Sequence, residues 1–120
     1  PGELFAESFG GAGEAVVLVH GLGGSTNTWA PLFPMLRRDF AIHAYDLAGS
    51  GRSPVRDGMS IESHVADLAG AVARAGGKAH LVGHSLGTII CQHYAAAHPE
   101  AVTSLALIGP FPAPPDAARK

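Results

Sequence analysis

Two apolar rhythms alternate along the chain. Residues 14–21, EAVVLVHG, form an unbroken β-branched apolar run closed by glycine. Such a run suits a strand covered on both faces of a sheet. FAIHAYD (40–46), KAHLVGHS (78–85) and VTSLALIG (102–109) repeat the pattern. LFAESFG, nearer the start, reads as a short edge strand, and GGAG after it as a turn. Between the long strands lie helical stretches. In SIESHVADLAGAVARAGG (60–77), Ile61, Val65, Leu68 and Val72 fall at helical spacing and two glycines end the run. LGTIICQHYAAAHP (86–99) is a strongly apolar helix stopped before Pro99. STNTWAPLFPMLRRDF (25–40) opens with capping residues, but Pro34 predicts a short or kinked helix. Ser60 is expected to cap its helix alone, because Ser63 is not the Glu or Gln of a capping box. Alternating strands and helices predict an α/β fold, a predominantly parallel sheet with helices on both faces.

Composition narrows the function. The chain has 120 residues, a single-domain length, and 47% are hydrophobic. Charged residues are only 15%, below the roughly 25% of average globular proteins, so part of the surface is expected to be covered by something else. A net charge of −2 and the absence of a basic run point to neither nucleic-acid nor membrane partners. One cysteine, Cys91, cannot form an internal disulfide and falls in an apolar helix. A buried inert thiol and a reducing, cytoplasmic location are expected. The apolar runs are too short to span a bilayer.

The chemistry gathers at two glycine-rich turns. GHSLG places Ser85 between a strand and a helix, the context that gives a G-x-S-x-G motif its meaning. The sharp reversal predicts an unfavourable backbone at Ser85, with the hydroxyl presented beyond the carboxyl end of the sheet. The N–H of Leu86 is expected to point into the same space, and Gly83 and Gly87 to be small because strand and helix crowd there. HGLGG (20–24) ends the first long strand, with the N–H of Leu22 a second candidate oxyanion donor. A dinucleotide site is excluded because G-x-G-x-x-G spacing fails at Thr26, and no GK[ST] follows for a P-loop. No cofactor is expected.

HGLGGSTNTW, YDLAGSGRS and LVGHSLGT resemble, in order and spacing, three signatures of the α/β-hydrolase superfamily, most nearly its small bacterial esterase, enol-lactonase and C–C hydrolase branch. The resemblance implies that Ser85 is the nucleophile, that the loop after residue 19 forms the oxyanion hole, and that Asp46 and His20 are structural. It also implies that residues 1–109 are the N-terminal part of the hydrolase core, without its C-terminal strands and cap, and that 110–120 begin the cap or a linker. Around the nucleophile, His20, Gly21, His84 and Trp29 are candidate substrate-pocket residues. Trp29 reads more naturally as a packing anchor beneath the oxyanion loop.

The partners of Ser85 are not evident. In this fold they follow the nucleophile, acid then histidine. After Ser85 only His93 and His98 remain, both on the departing helix, with His93 about 12 Å along it. His93 and His98 are five apart, off a common helical face, so no metal site is expected. His43 and His80 read as satisfied strand residues. The triad acid and base are therefore expected from a C-terminal portion of the same enzyme, in one chain or as a separate piece. The expected activity is hydrolysis of a small carboxylic ester, lactone or related acyl compound. The alternative is a non-catalytic hydrolase-fold ligand receptor or scaffold.

Overall fold

The computed structural model describes residues 4, 6–21, 23–51, 53 and 60–110, the side chain of Pro110 excepted. The expectations for Leu22, for the segment beyond Pro110, and for most of the loop from 52 to 59 lie outside these residues. Five strands form one sheet: β1 (Ala6–Ser8), β2 (Glu14–Val19), β3 (Phe40–Tyr45), β4 (Ala79–Ser85) and β5 (Val102–Pro110). Their order is β1-β3-β2-β4-β5. β1 runs antiparallel to β3, and every other pairing is parallel.

The connections explain the layers. β2 reaches β3 through a 3₁₀ helix (Thr26–Leu32) and the one-turn helix α1 (Phe33–Leu36). β3 crosses over β2 to β4 through α2 (Ile61–Arg74), and β4 reaches β5 through α3 (Leu86–Ala97). A right-handed crossover puts its helix on one face when the chain steps one way along the sheet and on the other face when it steps back. Accordingly, Val17, Val19, Tyr45 and Leu81 pack with Leu68, Val72, Ile90 and Tyr94 beneath α2 and α3. Val16, Leu18, Ile42 and Ala44 pack with Trp29 and Phe33 on the opposite face. Alternate residues of β2 thus serve two cores, as its unbroken apolar run requires.

The change of direction occurs between β2 and β4. At their carboxyl ends the following connections run to opposite faces, the place where open α/β sheets bind ligands. β5 is the far edge, with Leu105, Leu107 and Ile108 exposed by 38%, 38% and 46%. Among the described residues no helix is long and apolar enough to cross a membrane.

Two helix starts differ from the sequence expectation. Ser60 does not cap alone: its hydroxyl accepts from the Ser63 N–H at 3.1 Å, and the Ser63 hydroxyl accepts from the Ser60 N–H at 2.8 Å. Ser25 and Thr28 form the same reciprocal box ahead of the 3₁₀ helix. A hydroxyl three residues on reaches back as a Glu or Gln would, so serine or threonine at that position completes the box. The proline-rich stretch splits as expected, with Pro31 inside the 3₁₀ turn and Pro34 in the first turn of α1.

Candidate active site

Ser85 ends β4 and caps α3 with φ 56° and ψ −122°. It is the sole non-glycine residue at positive φ among the described residues. The expected strain is therefore present, on the order of 1–3 kcal/mol that the surroundings must offset. The surroundings are backbone packed on backbone. A Cβ on Gly87 would collide with the Val19 carbonyl and lie 2.9 Å from the His20 oxygen. A Cβ on Gly83 would come within 2.8 Å of the Gly87 carbonyl carbon. The first turn of α3 thus rests directly on the ends of β2 and β4. Thr88, buried in that turn, donates its hydroxyl to the Ser85 carbonyl at 2.7 Å. Leu86 begins α3, so its N–H is among those an α-helix leaves without an intrahelical acceptor.

Gly21 faces the serine. A Cβ there would overlap Ser85 Cβ, lie 2.9 Å from Ser85 Oγ and 2.8 Å from the His84 carbonyl. The loop after β2 and the turn after β4 therefore meet above the carboxyl ends of these two strands. The third loop, after β3, secures the first. Asp46 is fully buried, and its Oδ1 accepts from the Thr26 N–H at 2.6 Å. Its carbonyl accepts from Ser53 Oγ at 2.6 Å, and Gly51 packs against its carboxylate so closely that a Cβ would strike Oδ2.

His20 is also fully buried, behind Gly21. The Leu47 N–H donates to its Nε2 at 2.9 Å, and Nδ1 lies 2.6 Å from the Gly21 carbonyl. An amide can only donate, so Nε2 is the acceptor and Nδ1 carries the proton. Burial is the main reason its pKa lies below the ordinary histidine value, outweighing the Gly21 carbonyl and Asp46, which act the other way. Trp29 is 3% exposed, set in the packed layer with Phe33, its indole N–H without a hydrogen-bond partner. His84 stands edge-on to Trp29, 6.3 Å between ring centroids at 87°, with Gly109 beside its ring. Of the four residues expected around the pocket, Gly21 abuts the nucleophile candidate and His84 flanks it. His20 and Trp29 are packed behind them.

His64, buried on α2, acts on His20 electrostatically, whereas His43, His80 and His98 lie elsewhere. His80 bridges Glu14 at 2.7 Å and Ser104 at 2.6 Å, stitching three strands together. His43 is half-buried on β3, its pKa lowered by that burial. His98 packs on Tyr94 and lies 3.8 Å from Glu100. Among the described residues no three His, Cys, Asp or Glu side chains converge as a metal site. Cys91 is buried and its thiol is pushed up to about 12 by burial. Sequence reasoning missed the work of Leu47, Thr88 and Ser53. Two act through hydroxyls that any turn could carry, and Leu47 acts through its backbone alone.

The sequence model of the alpha/beta hydrolase fold matches residues 14–120. The chain is 40% identical over 109 residues to the pimeloyl-[acyl-carrier protein] methyl ester esterase of Chromobacterium violaceum, covering 91% of this chain and 41% of that protein. It is 40% identical over 106 residues to the protein of the same name from Methylococcus capsulatus, covering 88% of this chain and 40% of the relative. Among solved structures, a marine microorganism esterase superposes with a TM-score of 0.83 at 33% identity, over 89% of this chain and 41% of that one. A monoacylglycerol lipase from Paleococcus ferrophilus gives 0.81 at 33% identity, over 90% and 43%. The chain thus spans about two-fifths of the length of these relatives. This chain belongs to the α/β-hydrolase fold family.

Proposed function

We propose that this chain carries the nucleophile and oxyanion hole of a serine hydrolase acting on a carboxylic ester, lactone or related acyl substrate. The observation that carries the reading is the backbone of Ser85, held at φ 56° at the carboxyl end of β4 and directly opposite Gly21. A fold keeps such strain where a side chain must be presented at one angle. The named esterases among the relatives support the same chemistry.

In the proposed reaction Ser85 Oγ attacks the substrate carbonyl carbon. The carbonyl π pair moves to oxygen, and the N–H groups of Leu22 and Leu86 receive the oxyanion. A histidine beyond Lys120, oriented by a carboxylate from the same region, takes the hydroxyl proton and returns it to the leaving alcohol. Water then attacks the acyl-serine by the reverse proton path and releases the acid. Gly21 and His84 border the acyl pocket, and His20 and Trp29 support it from behind.

The test is labelling of the complete enzyme with a fluorophosphonate, followed by peptide mapping. Stoichiometric modification at Ser85, lost in Ser85→Ala, is the expected result. Well-folded protein that hydrolyses no ester and takes no label would instead favour a ligand receptor built on the same fold.

A further inference from the structure

Three helix starts in this chain carry a hydroxyl residue three positions after the N-cap: Thr28 after Ser25, Ser63 after Ser60 and Thr88 after Ser85. In the first two the N-cap hydroxyl serves the turn itself. Ser25 Oγ accepts from the Asn27 N–H, and Ser60 Oγ from the Ser63 N–H, each at 3.1 Å. At α3 the Ser85 side chain caps nothing. The other hold is kept: buried Thr88 donates to the Ser85 carbonyl at 2.7 Å, as Ser63 donates to the Ser60 carbonyl at 2.9 Å. That bond fixes a peptide plane. The Ser85–Leu86 peptide is trans, so its N–H points opposite its C=O. With the carbonyl drawn onto Thr88 in the first turn, the Leu86 N–H is turned out of the end of the helix. Backbone packing does not secure this alone. Gly87 rests on the Val19 carbonyl and Gly83 on the backbone of Gly87 and Thr88, which holds the path of the chain. A peptide can still rock between two fixed Cα atoms, through opposite changes in ψ of Ser85 and φ of Leu86. Helix ends fray, so the ladder resists such rocking least at its first residue. A hydroxyl on the carbonyl resists it directly.

We infer that Thr88 is a positioning residue for the reaction, whose hydroxyl aims the Leu86 N–H at the oxyanion by holding the Ser85 carbonyl. The inference rests on the reading of Ser85 as nucleophile. Thr88 is buried within the turn and acts on the reaction through that peptide. In the bound substrate the carbonyl oxygen carries little charge. Charge gathers there as Ser85 Oγ adds to the carbon, and a misaimed donor then costs most. The loss of aim therefore falls on kcat and spares KM.

The experiment compares the complete wild-type enzyme with three variants. Thr88→Val keeps the branched shape and removes the donor. Thr88→Ala removes the donor without placing a methyl group against the carbonyl, and stands in if the valine variant does not fold. Thr88→Ser keeps the hydroxyl. Two quantities are read: kcat and KM for a short-chain p-nitrophenyl ester, counted per Ser85 labelled by fluorophosphonate, and inhibition by a trifluoromethyl ketone bearing the same acyl part. Ser85 Oγ adds to the ketone carbon, the hydroxyl proton passes to the triad base, and nothing leaves, so the ketone reports oxyanion binding at equilibrium. Val and Ala should lower kcat by about 10-fold or more, short of the roughly 100- to 1,000-fold for losing an oxyanion donor outright. KM should stay within about twofold, and the ketone should weaken by about the same factor as kcat. The serine variant should stay within about threefold of wild type in both, which a need for the threonine methyl would not allow. Labelled Ser85 with kcat unchanged in Val and Ala would overturn the role of Thr88 and leave the nucleophile standing. So would a loss confined to KM, or a serine variant as impaired as valine. A folded wild type that takes no label at Ser85 would bring down both readings together.

Discussion

Replacing Gly21 by alanine adds one methyl group and isolates the contact on which the site is built. The new Cβ would overlap Ser85 Cβ and lie 2.8 Å from the His84 carbonyl and 2.9 Å from Ser85 Oγ. Comfortable carbon contacts are roughly 3.5–4.0 Å, so something must move by about 1 Å. His84 is strand backbone, Ser85 is pinned by α3 resting on β2, and Gly21 is bound through its carbonyl to His20. No flexible side-chain tip is available to yield. Overpacking of this kind costs roughly 1–3 kcal/mol of stability. In a domain of 150–250 residues that lowers Tm by about 2–4 °C per kcal/mol. The effect on rate should be larger, because a shift of about 1 Å between reacting groups costs on the order of 100-fold. The assay is kcat for a short-chain p-nitrophenyl ester, read beside a thermal melt. Gly76→Ala is the control: Gly76 has φ +114° and nothing within 4 Å of a Cβ, so it loses stability through backbone strain alone and should keep its activity. If Gly21→Ala turned over ester within about threefold of wild type, the close approach of the two loops would not be catalytic geometry.

Other consequences follow from single contacts. Ser85→Gly should raise stability by about 1 kcal/mol in a denaturant titration, because glycine tolerates the positive φ that serine does not, while turnover is lost. Thr88→Val should cost about 1 kcal/mol, more if the Ser85 carbonyl it bonds is left buried and unpaired, seen as a lower urea midpoint. For His20 the folded pKa lies below the unfolded value near 6.5, so the unfolded state binds more protons. Its contribution to stability is full above about pH 6.5 and is lost as pH falls below it, at up to about 1.4 kcal/mol per pH unit. Urea melts across that range should lose this slope in His20→Gln. Cys91, with its thiol near 12, should react with a thiol reagent at pH 8 only upon unfolding.

How legible all this was depends on which atoms carry the information. The layers were readable because side chains set them: EAVVLVHG packs both ways, and SIESHVADLAGAVARAGG packs one way. Ser85 was readable because its glycine neighbours are demanded by backbone contact, and a demand for glycine shows in sequence. The antiparallel course of β1 was not readable. A three-residue edge strand, exposed throughout, has no pattern to fix its direction. Nor was the tie between His20 and Leu47. A backbone N–H leaves no mark on residue type, and an imidazole at the end of a strand serves equally as wall, base or brace. The Ser60–Ser63 box escaped because the pattern calls for Glu or Gln at the third position, although a serine hydroxyl there can accept as a carboxylate does.

The strain at Ser85 and the rigidity around it belong to one arrangement. A residue held at φ 56° relaxes unless each route of escape is closed. Rotation toward a helical φ would swing the start of α3, but Gly87 already rests on the Val19 and His20 carbonyls, so the helix cannot descend. Retreat of the serine along β4 is opposed by parallel pairing to β2 on one side and β5 on the other. Movement over the top is opposed by Gly21, which His20 holds from behind. The topology supplies these constraints together: β2 and β4 are neighbours in space but separated in sequence by β3 and α2. The loops after β2, β3 and β4 therefore converge on one point while being anchored in different parts of the core. On the proposed reading, Ser85 Oγ is the group that this arrangement presents beyond the carboxyl ends of β2 and β4.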